Sequence, residues 1–137
     1  MSTDLRAAEG REARELLHFV TQETRFAILG NILQHPEQLP SMYELEQLNP
    51  SVSDATVYKH VQKLIDAGVV EAVALDEDDR RQGYPWKFYG LTDEGRAFLE
   101  DHNVLAAEET LRQIYETISD KPDKMVKYEN APRPDRE

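Results

Sequence analysis

Cysteine is absent from the 137 residues, which excludes disulfides, thiolate metal sites and thiol redox chemistry. Lysine is scarce, with six residues against 27 aspartates and glutamates, and the formal charge is −11. No apolar run approaches the roughly 18 residues of a membrane span. The opening MSTDLRAAEGRE has no signal-peptide core, so a cytoplasmic protein without membrane attachment is expected. Phosphate-binding glycine loops, Gly-x-Ser-x-Gly and His-Glu-x-x-His are also missing. Glu15 and His18 have the i, i+3 spacing of a di-iron ligand pair, but no second such pair follows. Asp76-x-Asp78 begins like a calcium loop, yet Arg81 stands where the glycine is required and Lys87 occupies the acidic twelfth position. No catalytic residue, metal site or cofactor is therefore expected, and the chain is not expected to be an enzyme.

A length of 137 residues suffices for one domain with a modest core. The acid excess is awkward for a nucleic-acid binder, since basic patches usually supply the affinity. Many acids with few lysines suit a cytoplasm at very high salt, where a charged surface keeps proteins soluble. At molar salt the Debye length is only about 3 Å, so local contacts outweigh net charge. An ordinary acidic protein is the other reading.

What is present is organised around SDATVYKHVQKLIDAGVV, residues 53–70. At about 100° per residue, Val57, Val61 and Leu64 share one apolar stripe. Ala55, Thr56, Lys59, Gln62 and Lys63 occupy the opposite face. Ser53 is a good N-cap, Asp54 meets the positive end of the helix dipole, and Gly68 is placed to end the helix in a left-handed conformation. The outward hydroxyl, amide and ammonium groups are those that contact phosphates and base edges in a major groove. An ordinary amphipathic helix with a solvated face has the same pattern, so the neighbouring segments decide.

Upstream, Ala13, Leu16, Leu17 and Val20 support an inward helix face in residues 1–20, with Gly10 weakening its start. Thr21 is expected to cap a second helix in which Phe26, Leu29, Ile32 and Leu33 recur at helical spacing, closed by His35-Pro36. Ser41 and Glu44 stand at N-cap and N3 of a capping box that opens a short helix, Met42 to Leu48. Asn49-Pro50 and a tight turn then lead into Ser53, which makes a helix-turn-helix. Downstream, VVEAVAL and WKFYGL flank the polar loop DEDDRRQGYP and predict a hairpin. Arg80 and Arg81 near its tip suit a phosphate or a minor groove, unless they pair with Asp76, Glu77, Asp78 and Asp79. Tyr84, Trp86, Phe88 and Tyr89 are expected to pack the hairpin onto the helices. Thr92 caps a further helix, and Val104, Ala107, Leu111, Ile114 and Ile118 form a narrow seam that calls for a partner helix. From Asp120 the chain lacks periodicity and reads as a mobile tail.

This order of elements resembles a winged helix-turn-helix transcriptional regulator over roughly residues 10–120. Within RRQGYPWKFYGLTDEGRAFLE, Lys87, Phe88, Tyr89, Leu91, Thr92 and Gly95 resemble the wing and following helix of the PadR family, with its Leu-Thr-x-x-Gly. The segment TRFAILGNIL also resembles the ArsR and MarR-like groups. With the acidic bias, the chain resembles haloarchaeal regulators of this class linked to the response to reactive oxygen species. The acidic run before the wing arginines departs from the PadR pattern and puts simple phosphate attraction there in question.

The expected fold is mostly α with a small β-hairpin, a winged helix-turn-helix with long terminal helices for dimerisation. Its divisions are residues 1–20 (dimer contact), 21–92 (DNA-binding domain), 93–119 (dimerisation helix) and 120–137 (mobile tail). The expected partners are double-stranded DNA, a second copy of the chain, and inorganic cations bridging acidic side chains to DNA. Ser53, Asp54, Ala55, Thr56, Tyr58, Lys59, Gln62, Lys63, Arg80, Arg81 and Lys87 are the candidate DNA contacts. The resemblance implies a homodimer, with Leu16, Val104, Ala107, Leu111, Ile114 and Ile118 as candidate interface residues. The alternative is a winged-helix protein-interaction module of a transcription or chromatin assembly that does not bind DNA. The basic outward groups against an acidic remainder favour DNA.

Overall fold

The computed structural model describes residues 12–102 and 121–136. Residues 12–20 are helical (α1). They are followed by α2 (Glu23–Gln34), α3 (Met42–Leu48), α4 (Asp54–Asp66), β1 (Val70–Ala74), β2 (Lys87–Leu91), α5 (Asp93–Asp101) and α6 (Asp123–Glu129). Among the described residues, no helix is long and apolar enough to cross a membrane.

Capping chemistry sets most of these boundaries. Ser41 and Glu44 form the expected reciprocal box at the start of α3. Thr21 does not cap α2: its hydroxyl donates to the Leu17 carbonyl at 2.7 Å and closes α1. The longer Gln22 side chain reaches the Arg25 amide instead, at 3.1 Å. Gly68 takes φ +78°, a conformation that costs glycine little, and turns the chain from α4 into β1.

The strands pair antiparallel, with Val70 opposite Leu91 and Ala72 opposite Tyr89. Tyr89 N–H donates to the Pro40 carbonyl at 2.9 Å, tying the entry to α3 onto the far edge of β2. The Leu-Thr-x-x-Gly segment has a packing reason. Thr92 Oγ1 donates to the Gly68 carbonyl at 2.6 Å and accepts from Gly95 N–H at 2.8 Å. A Cβ on Gly95 would overlap the Val69 carbonyl oxygen, so α5 sits against the hairpin only with glycine there.

Val57, Val61 and Leu64 are completely buried, as the stripe predicts. They pack with Val20, Ile28, Leu29, Ile32, Leu33, Leu45, Tyr89, Leu91 and Leu99 in one core. In α2 the inward set is Ile28, Leu29, Ile32 and Leu33, whereas Phe26 is exposed. Leu16 packs against this core from within its own chain. Val104, Ala107, Leu111, Ile114 and Ile118 lie outside the described residues.

Residues 121–136 are folded rather than a mobile tail, and α6 packs on α3. Met125 is buried, and Tyr128 meets the Tyr43 ring with centroids 5.1 Å apart. Arg133 closes the strap: its Nη2 donates to Glu44 Oε2 at 2.8 Å, and its Nε donates to the Leu39 carbonyl. Glu44 also accepts from the Ser41 amide at 2.7 Å, and His35 Nε2 lies 2.9 Å from its other oxygen. The Glu37 amide donates to His35 Nδ1, which leaves Nε2 to carry the proton shared with Glu44. Burial alone would raise the Glu44 pKa. The His35 hydrogen bond and attraction, the Arg133 charge and the Ser41 amide outweigh that and hold it below the ordinary carboxylate value.

Candidate nucleic-acid interface

The buried stripe fixes the roll of α4 and so decides which side chains face outward. Ser53 caps it, with Oγ accepting from the Thr56 amide at 3.1 Å and contacting Thr56 Oγ1 at 2.8 Å. Ser53, Asp54, Ala55, Tyr58, Lys59 and Lys63 are exposed, while Thr56 and Gln62 are half-buried at the flanks. The turn before α4 is locked from inside. Asn49 Nδ2 donates to the Leu45 carbonyl at 2.8 Å and to Asn31 Oδ1 at 2.7 Å, which ties the α3–α4 angle to α2.

Arg25 joins this face without any sequence motif to announce it and meets His60, which flanks the buried stripe of α4 and is half-buried. Arg25 Nε donates to the Phe19 carbonyl at 2.7 Å, and its guanidinium lies 4.1 Å from the Phe19 ring centroid. Held there, Nη1 sits 3.2 Å from His60 Nδ1. A guanidinium only donates, so Nδ1 must accept and the His60 proton sits on Nε2. Burial lowers the His60 pKa, and the charges of Arg25, Lys63 and Lys59 lower it further. Four groups that carry or can take up positive charge therefore crowd one side of α4.

The wing adds a second cationic site. A short 3-10 turn, Glu77–Asp79, precedes the arginines. Arg80 Nε donates to the Leu75 carbonyl at 3.0 Å, and its guanidinium stacks 3.8 Å from the Trp86 centroid. Arg81 and Lys87 are exposed. Among the described residues, neither wing arginine forms an ion pair with the acids from Asp76 to Asp79. Of the four loop and strand aromatics, Phe88 and Tyr89 are buried as expected. Tyr84 and Trp86 instead stay about 40% exposed, each under a cation. Stacking on Trp86 holds the Arg80 guanidinium in place without cancelling its charge. No group of three or more histidines and carboxylates suited to a metal ion occurs among the described residues.

A short helix, a tight turn, an outward-facing second helix and a two-stranded hairpin whose loop carries two exposed arginines after an acidic run define a winged helix-turn-helix. A solved protein with a GntR superfamily winged-helix-turn-helix domain, from Halomicrobium mukohataei, superposes with TM-score 0.81 at 30% identity. The match covers 93% of this chain and 90% of that one. The chain belongs to the winged helix-turn-helix proteins of the GntR superfamily. It is also 27% identical over 106 residues to the HTH-type transcriptional regulator TcaR of two Staphylococcus aureus strains, Newman and COL. That match takes in 67% of this chain, and the chain spans 66% of the length of those relatives. The crystal structure of transcriptional regulator PA3341 shares the fold, with TM-score 0.51 and 23% identity over 91% of this chain and 85% of that one. No family model matches.

Proposed function

We propose that the protein is a sequence-specific DNA-binding transcriptional regulator that acts as a homodimer and works by binding rather than catalysis. One observation carries the reading: a chain of charge −11 gathers Arg25, Lys59, Lys63, Arg80, Arg81 and Lys87 on its helix-turn-helix and wing. In this reading α4 enters the major groove, where Lys59 and Gln62 reach base edges while Ser53, Thr56, Tyr58 and Lys63 hold the backbone, beside the short Asp54 and Ala55. Arg80, Arg81 and Lys87 reach the flanking backbone or minor groove. The similarity to TcaR, named an HTH-type transcriptional regulator, supports the same assignment.

The terminal segments supply the dimer contact in this proposal, chiefly through the seam at Val104, Ala107, Leu111, Ile114 and Ile118, since Leu16 is already packed against its own core. The acid excess suits a salt-rich cytoplasm, in which inorganic cations bridge Asp76, Glu77, Asp78 and Asp79 to phosphates. The Leu-Thr-x-x-Gly join supports a PadR-like affinity within the winged-helix class. The acid excess, through the resemblance to haloarchaeal regulators, adds a link to the response to reactive oxygen species.

A gel-shift against a pool of random duplexes tests the reading. Selection of a discrete operator by the wild-type chain is expected. Absence of duplex binding at any salt concentration would overturn it in favour of a winged-helix protein-interaction module.

A further inference from the structure

The six lysines are divided evenly between two places. Lys59, Lys63 and Lys87 belong to α4 and the wing, and Lys121, Lys124 and Lys127 belong to the strap around α6. Residues 121–136 hold five cations against three acids, Asp123, Glu129 and Asp135, in a chain that is otherwise strongly acidic. Three of these cations are engaged with acids: Lys121 with Glu129 at 3.0 Å, Arg133 with Glu44 at 2.8 Å and Arg136 with Glu71 at 2.6 Å. Lys124 and Lys127 are exposed and form no ion pair with a described residue.

Both are nevertheless held in place. Lys124 Nζ lies 4.3 Å from the Tyr43 centroid and 5.3 Å from that of Tyr128. Lys127 Nζ lies 4.3 Å from the Tyr84 centroid. A ring restricts an ammonium without neutralising it, so part of the ordering entropy is already spent before any ligand arrives. The Tyr43 and Tyr84 rings also locate α6. Tyr43 is in the first turn of α3, the helix that crosses the DNA backbone in this class of fold. Tyr84 is in the wing loop, three residues past Arg81. Lys124 shares its electrostatic neighbourhood with the recognition helix as well. Burial and Asp54, at the start of α4, push the Glu46 carboxyl up, and Lys124 pulls it down.

We propose that α6 is a third DNA-contacting element, in which Lys124 and Lys127 hold backbone phosphates on the flank of the duplex between the α3 N-terminus and the wing. This rests on the DNA-binding reading above. Two ammonium groups continuous with the helix-turn-helix and the wing fit phosphates, which position a protein on DNA without reading its sequence.

The test uses the full chain with Lys124→Gln and Lys127→Gln combined, beside Lys59→Ala. Both lysines are exposed, so the melting curve of the double variant should match wild type. Its affinity should fall several-fold and equally for operator and random duplexes, with the hydroxyl-radical footprint shortened at its outer edges. The slope of log affinity against log salt should shift in the positive direction by about 2 relative to wild type, near 0.9 for each lost phosphate contact. Unchanged affinity, slope and footprint in the double variant, with operator binding still weakened in Lys59→Ala, would overturn the proposal. Those outcomes would leave the DNA-binding reading intact and assign the α6 cations to an acidic protein surface. A wild-type chain that binds no duplex overturns both readings.

Discussion

Lys59 projects from a helix whose opposite side, Val57, Val61 and Leu64, is completely buried, so its ammonium is available to DNA and of little use to the fold. Lys59→Ala should weaken operator binding by roughly 1–3 kcal/mol, the range for one good base contact, and leave the melting temperature unchanged. Equal operator affinity in a fluorescence-anisotropy titration would remove Lys59 from the base-reading set. His60 makes a different prediction from the same face. Burial and the cations Arg25, Lys63 and Lys59 depress its pKa in the free protein. A neighbouring phosphate would raise it again, so binding DNA would take up a proton. Affinity should then rise as pH falls through the ordinary histidine range near 6.5, and His60→Gln should flatten that dependence. A pH-independent affinity between about pH 8 and 5.5 would sink the idea. At this scale periodicity made Lys59, Gln62 and Lys63 legible, because one helix orders its own faces. Arg25 was not legible, since its meeting with His60 depends on how α2 packs on α4.

The strap shows why elements differ in how much local sequence reveals. α3 and α4 announce themselves through Ser41, Glu44 and Ser53, whose caps close within three residues. α6 has seven residues, no side-chain cap and prolines on both sides, so nothing local demands a helix. Its order comes from the burial of Met125 and from Tyr128 and Arg133 meeting α3, and Arg133 stands 89 residues from Glu44. The capping box was readable, but the second use of Glu44 as a receptor for Arg133 was not. Arg133→Ala strips one partner from a buried carboxylate and should cost roughly 3–5 kcal/mol, read by urea denaturation. Wild-type stability in that variant would mean that the strap carries no energetic weight. The pH dependence follows in sign. Glu44 is held below its ordinary value in the folded chain, so its contribution is complete above about pH 4.5 and disappears as pH falls through the lower folded-state value. Acid unfolding should therefore be shallower in Glu44→Gln than in wild type, because the group that must be protonated is gone.

At the scale of the whole molecule, the proposed dimer symmetry and the response to salt bear on what the winged domain does. Paired recognition helices read one duplex face when they lie about 34 Å apart, one helical turn. In the proposed homodimer, Leu111→Glu places an unpaired carboxylate in the seam and should give monomers that bind operator poorly. Light scattering that still reports a dimer would move the interface elsewhere, to residues 5–20 for instance. Salt is the sharper test, because a chain of charge −11 and DNA are both anions. An ordinary regulator loses affinity linearly in log salt as its cations displace counterions. In a salt-rich cytoplasm that mechanism would leave little binding. Cations retained between Asp76, Glu77, Asp78 and Asp79 and the nearby phosphates would instead join the complex, as these exposed carboxylates are not paired with Arg80 or Arg81. Operator affinity should then be flat or rise between about 0.1 M and molar potassium chloride. Replacing the four acids with asparagine or glutamine should turn the slope negative. A steep, monotonic loss of affinity in the wild-type chain would rule out cation uptake and leave Lys59, Lys63, Arg80, Arg81 and Lys87 as a conventional basic patch.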